Sequence, residues 1–258
     1  MVKGLYTAYT GMINEQHRMD VLTNNLANAS TNGFKKEGAT SQTFDSVFAY
    51  KIKDITEGRH TVKRLGIMNP GVKIGEGYTD FSQGPLKVTD NTFDLALTDS
   101  GFFAVEFTNK AGETSIKYTR DGNFTLTQEG RLVTRDGDPV LDENGDYIDL
   151  DPIQAASIDV KGQISQGDQI VATIQITDFE DYNYLERYGE NYFEPIEGAQ
   201  QTETPASVYS GYLEMSNMSV VTEMVNMITV SRAYDSNQKV ITAIDESLDI
   251  AANQLGRL

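Results

Sequence analysis

The chain has 258 residues, 39% of them apolar, with 38 acidic against 21 basic side chains and a formal charge of −17. Phosphate neutralisation needs clustered Lys and Arg, so this balance argues against a nucleic-acid or anionic-membrane partner. There is no Cys, which excludes disulfides, thiol catalysis and thiolate metal sites, and no run of 18 apolar residues that would span a membrane.

At the N-terminus, Leu5, Met12, Met19 and Leu26 recur at steps of seven, with Ala8, Leu22 and Ala29 three residues after three of them. This heptad spacing predicts a helix over residues 1–34 with one apolar seam, the seam from Leu5 to Ala29 being roughly 40 Å long if helical throughout. Gly4, Thr7, Thr10 and Gly11 interrupt any continuous apolar h-region, so a cleaved secretory signal is not expected. The helix runs into Asn24-Asn25-Leu26-Ala27-Asn28-Ala29-Ser30-Thr31-Asn32-Gly33-Phe34. Asn is a poor helix former, so one reading is a fraying end rich in capping residues. The other is that Asn25 and Asn28, three apart on one face, bond to a neighbouring helix and fix its register. Gly33 suits a left-handed helix stop, with Phe34 folding back on the apolar face.

Residues 35–80 read as an extended excursion. Phe44, Val47, Phe48 and Ile52 suggest a short amphipathic continuation, and Glu57-Gly58-Arg59-His60, Asn69-Pro70-Gly71 and Gly75-Glu76-Gly77 punctuate the rest as turns, with room for an exposed hairpin.

Residues 81–210 read as a β-rich domain. Short runs of β-branched and aromatic residues at 92–97, 101–107, 115–119, 123–127, 131–134, 158–160, 163–165 and 169–177 are separated by turns such as Asp136-Gly137 and Asn144-Gly145. The acidic, aromatic tract 178–195 is expected to be a loop layer pinned by its rings, and 198–210 a linker.

Residues 211–258 carry the second helix. Val220, Met224, Met227, Ser231, Tyr234, Gln238 and Ile241 form a stripe that continues, after one out-of-step interval, as Ile244, Leu248, Ala251 and Leu255. Ser219 suits the N-cap and Gly256 the stop. At about 55 Å such a helix needs a partner helix. The two terminal seams pair with each other or with those of other copies, and the pattern leaves both open. An isolated chain is expected to have a folded β body and disordered ends, because an unpacked helix is marginal in water.

No catalytic constellation emerges. The two His residues, His17 and His60, lie in different segments, and there is no G-x-S-x-G nucleophile elbow or phosphate-binding G-x-x-x-x-G-K-[ST] loop. The acidic turns 136–138 and 142–146 lack the Gly and Glu spacing of a calcium loop. Neither an enzyme nor a cofactor or metal is expected. An all-β carbohydrate-binding or hydrolytic protein is the alternative class.

The motif 24–34 closely resembles the signature of the bacterial flagellar rod and hook protein family. Ser216-Asn217, Glu223-Met224-Val225-Asn226-Met227-Ile228 and Ser231-Arg232-Ala233-Tyr234 resemble its other end, and Gly101-Phe102-Phe103 and Tyr118-Thr119-Arg120-Asp121-Gly122 its β body. The length resembles rod subunits, and the segment after Phe34 resembles the distal-rod subunit, with proximal-rod or hook-type proteins as alternatives. The resemblance implies a mainly β body with long N- and C-terminal helices that pair as a coiled coil on assembly. It also implies a self-assembling, torque-transmitting tube in the basal body, joined to other rod and hook subunits and exported through the flagellar export apparatus without a cleaved signal. On that reading the assembly residues are Leu5, Met12, Met19, Leu22, Asn25, Leu26, Asn28, Gly33, Phe34, Met224, Met227, Tyr234, Ile241, Ile244 and Leu248.

Overall fold

A computed structural model describes residues 2–52, 62–110, 112–167, 169–189, 191–202 and 206–253. The chain forms two compact units, each assembled from separate stretches. One comprises Met1–Ala27, Glu37–Asp80 and Ser219–Leu258, and the other Asn28–Lys36 and Phe81–Met218.

The first, helical unit contains α1 (Val2–Ala27) and α2 (Val220–Asn253), which pack along each other. A methyl added at Gly4 would lie 3.6 Å from Ile244 Cδ1, and one at Gly11 would lie 3.0 Å from Asn237 Nδ2. Rising numbers on α1 therefore meet falling numbers on α2, and the pair is antiparallel. Gly4, Ala8 and Gly11 form a strip without bulky side chains, with Ala8 buried, which lets the backbones approach closely. Ser219 caps α2 as expected: its carbonyl accepts from Glu223 N at 3.0 Å and its hydroxyl from Thr222 N at 3.5 Å.

Four strands complete this unit: β1 (Glu37–Thr43), β2 (Val47–Ile52), β3 (Val62–Met68) and β4 (Val72–Thr79). β1 pairs with β4 and β2 with β3, both antiparallel. The amphipathic continuation expected at 44–52 is thus a strand. Its β-branched and aromatic Val47, Phe48 and Ile52 favour an extended backbone. The turn expected at 57–60 lies outside the described residues, as do the helix stop at Gly256 and seam residue Leu255. β1 and β4 pack on α1. Asn14 Oδ1 accepts from Ser41 Oγ at 3.1 Å, and Thr7 Oγ1 donates to Pro70 O at 3.3 Å.

The second unit is the β body. Its largest sheet is antiparallel, in the spatial order Leu185–Tyr188, Tyr192–Pro195, Thr114–Thr119, Phe102–Thr108, Ile176–Phe179 and Gln201–Thr202. Side chains alternate along a strand, and Phe102 to Val105 are apolar at every position, so that strand builds a core on each face. Phe103 and Val105 pack with Leu95, Phe124, Leu132 and Ile164 on one side, while Phe102 and Ala104 pack with Tyr118, Phe179 and Phe193 on the other.

Two expectations fail here for one reason. The tract 178–195 supplies two sheet strands, and 198–210 supplies strands Gln201–Thr202 and Ser207–Ser210. Long-range pairing overrides local composition that is rich in acids and turn formers. The single run expected at 169–177 divides into Gln169–Thr173 and Ile176–Phe179.

Candidate assembly interface

The helical seam differs from the one expected. Glu223 and Val230 are buried on α2, and Met227, Tyr234, Asn237, Ile241 and Ile244 are half-buried between and beyond them. These residues step by 4, 3, 4, 3, 4 and 3, a continuous heptad with no overwinding. At Met224, Ser231 and Gln238 the expected stripe runs one residue past Glu223, Val230 and Asn237, because the buried face carries two polar residues that apolar spacing does not report. Val220 and Met224 are in fact exposed, as is Leu248. Leu5, Ile241 and Leu248 line one shallow apolar cavity between the helices. Met12, Met19, Leu22 and Leu26 are half-buried on α1. Met12, Met19 and Met227, expected in the seams, are thus half-buried within the single chain.

What the helices leave uncovered is more telling. On α2, Val221, Met224, Val225 and Ile228 stand at i, i+3, i+4 and i+7, and each exposes about half or more of its surface, 72% at Val221. On α1, Tyr6, Tyr9 and Ile13 form a second exposed stripe. Given the antiparallel pairing, the α2 stripe lies level with the end of α1, and the α1 stripe lies level with residues beyond 234. The two stripes occupy opposite ends of the pair. Apolar side chains grouped this way mark an interaction surface.

Charge separates between the units. The helical unit carries 11 basic and 13 acidic residues, a formal −2, whereas the β body carries 10 and 25, a formal −15. Like-charge repulsion is thus small where the apolar stripes lie and large elsewhere.

The Asn-rich motif has a different role at each residue. Asn25 is fully buried. Its Nδ2 donates to Glu37 O at 2.8 Å, and its Oδ1 accepts from Glu37 N at 3.0 Å. It clamps the start of β1 within the same chain, which corrects the expectation of a bond to a neighbouring helix and equally that of a fraying end. α1 ends at Ala27, short of the expected 34, because Asn28 opens a turn and accepts from Thr31 N and Thr31 Oγ1, both at 3.2 Å. Gly33 does adopt the left-handed conformation, at φ 66°, but six residues beyond the helix. Phe34 does not fold back on the helix. It is buried in the β body under the Arg187 guanidinium, 4.3 Å from its ring.

Residues 28–36 form a strap bound into the β body. Gly33 N donates to Glu214 O at 2.7 Å, and Asn191 Nδ2 reaches both Asn32 O at 3.3 Å and Asp121 Oδ2 at 3.4 Å. Burial pushes the Asp121 carboxyl up to about 6, against the bond from Asn123 N. Lys35, Arg120 and Glu214 are all nearly sealed from solvent. Lys35 Nζ lies 2.6 Å from Glu214 Oε1, and Arg120 Nη1 lies 3.4 Å from Glu214 Oε2. Lys35 and Glu214 escaped the sequence reading because charged residues 179 positions apart show no periodicity.

Three family models match in chain order. "Flagella basal body rod protein" covers 5–35, "flagellar hook protein FlgE/F/G D1 domain" covers 96–178, and "flagellar basal body rod FlgEFG protein C-terminal" covers 209–255. The FlgG rod protein of Buchnera aphidicola (subsp. Acyrthosiphon pisum) is 33% identical over 266 residues, spanning 96% of this chain and 98% of that protein. The chain belongs to the flagellar basal-body rod family. That family is structural, not enzymatic, and places the protein in the flagellar basal body. The rod protein FlgF of Caulobacter vibrioides is 34% identical over the full length of both chains, and the hook-basal body protein FlhO of Bacillus subtilis 30%. Among the segments matched in this rod protein, 5–35 ends on the strap and 209–255 contains Glu214 and the exposed stripe of α2.

Proposed function

We propose that this rod-family chain is a subunit of the distal rod that polymerises into a helical tube through its terminal helices. Those helices pair with those of neighbouring copies as well as with each other, and the acidic β body faces outward. The exposed stripes at opposite ends of the helical pair carry this reading. Two different apolar patches on one subunit favour head-to-tail contacts, which build an open helical polymer and not a closed dimer. Such a tube transmits torque and encloses part of the export channel, with other rod and hook subunits as axial neighbours and the flagellar export apparatus as its route out of the cell. The proximal rod is a second reading, favoured by the full-length likeness to a FlgF protein.

Val221→Asp with Ile228→Asp places two charges on the α2 stripe without touching the buried seam. A null strain carrying this double variant should stay non-motile and yield basal bodies without this subunit, although the purified monomer melts like the parent. Normal rods would refute the role of the stripe. Gold-labelled antibody on parental basal bodies distinguishes distal from proximal placement.

A further inference from the structure

Thiols and thioethers are the side chains that peroxides oxidise, and this chain has no Cys. Its reactive groups are therefore the methionine sulfurs. Among the described residues, Met12, Met19, Met68, Met215, Met218 and Met227 are all half-buried, and Met224 alone is exposed, at 51%. Met224 sits near the start of α2, with Val221 one turn before it, Ile228 one turn after it and Val225 beside it. All three neighbours are themselves open to solvent, so a small oxidant reaches the sulfur without any opening of the helical pair. Met227, three residues on, lies in the half-buried seam and is screened.

We propose that Met224 is an oxidation site for peroxides, and that its sulfoxide bars the subunit from assembly. The thioether sulfur attacks one oxygen of hydrogen peroxide. The O–O bond breaks, an S–O bond forms and the second oxygen leaves as water. Sulfur loses two electrons and the peroxide gains them, so the step needs no other reactant. A flexible apolar side chain becomes a polar one that carries a hydrogen-bond acceptor. On the free helix that oxygen is solvated, and the monomer keeps its fold. Under an apolar cover it would lose its water and gain no donor from the side chains of Val221, Val225 and Ile228. Oxidation is thus silent in the monomer and felt when the stripe is covered. The consequence for assembly rests on the stripe being the polymerising surface, as proposed above, whereas the reactivity of Met224 does not. A subunit already in the tube has its sulfur covered, so the sulfoxide sorts subunits before they join. A methionine sulfoxide reductase returns the rejected ones to the competent form.

Hydrogen peroxide applied to the purified full-length monomer, with sulfoxides located by peptide fragmentation, should oxidise Met224 at least about fivefold faster than Met227 or Met215, while helicity and melting keep their parental values. Equal rates would overturn the site. In a null strain that also lacks methionine sulfoxide reductase, Met224→Gln places an amide oxygen where the sulfoxide would stand. It should lower the yield of basal bodies containing this subunit at least about tenfold, whereas Met224→Leu should keep the parental yield. Sublethal peroxide during induction should lower the yield of the parent and leave that of Met224→Leu unchanged. Equal sensitivity of the two would overturn the effect on assembly. Val221→Asp with Ile228→Asp separates this inference from the reading it rests on. If that double variant fails to assemble while Met224→Gln and the peroxide-treated parent assemble normally, the oxidation effect is wrong and the stripe stands. If all of them assemble normally, the stripe itself is wrong.

Discussion

Gly33→Ala offers the sharpest test of how the strap is seated. The residue is buried at φ 66°, where an L side chain is strained by about 1 kcal/mol. Steric overlap is the larger effect. An added Cβ would stand 2.5 Å from Arg120 C and nearer still to Asp121 N, and both are backbone atoms that cannot rotate away. Moving the strap would lengthen the bond from Gly33 N to Glu214 O and disturb the approach of Asn191. We expect a total loss of roughly 3–5 kcal/mol, a large part of a typical domain's stability. Gly137→Ala is the matched control. Its φ is 97°, but nothing lies within 4 Å of the added atom, so about 1 kcal/mol is expected. The chain has no Trp, so urea unfolding followed by tyrosine fluorescence and near-UV circular dichroism reports the difference. Equal losses in the two variants would refute the close approach of the strap to the 120–121 backbone.

The raised Asp121 carboxyl makes stability pH-dependent. The folded state holds its proton to about 6 against 3.8 for the free group, so its contribution is complete below pH 3.8 and disappears as pH rises through 6. Parental stability should therefore fall by roughly 1–3 kcal/mol across that window relative to Asp121→Asn, and parallel profiles would contradict the assignment. Asn25→Ala removes the two side-chain bonds to the N–H and C=O of Glu37, and should cost roughly 1–3 kcal/mol per bond in thermal melts, with faster amide exchange at Glu37. Met227→Asp puts a charge into the half-buried seam and should destabilise the helical unit by several kcal/mol, whereas Met224→Asp, on the exposed stripe, should leave the monomer's melting unchanged.

The long terminal helices and the β-rich middle were legible because repeated apolar spacing reports an element's buried face. The exact α2 seam was not. It includes Glu223 and Asn237, so an apolar filter shifts the stripe onto Met224, and only the partner helix reveals Val230 as its most buried aliphatic residue. Strands 185–188 and 192–195 were missed because their acids signal a loop until long-range pairing supplies a sheet edge. The Asn-rich motif was recognisable as special, but its geometry was not. Asn25 turns inward to a backbone twelve residues on, and Gly33 serves a contact with residues 120–121 that no local rule foreshadows.

The central claim is that the helical stripes are covered on assembly while the acidic β body stays outside. Because the chain has no Cys, maleimide labelling of Val225→Cys and Glu129→Cys, each introduced alone, reads this out in purified rods and in the monomer. Both positions should label readily in the monomer, and in rods Val225→Cys should be protected while Glu129→Cys remains reactive. Equal labelling of Val225→Cys in rods and monomer, or protection of Glu129→Cys instead, would contradict the account.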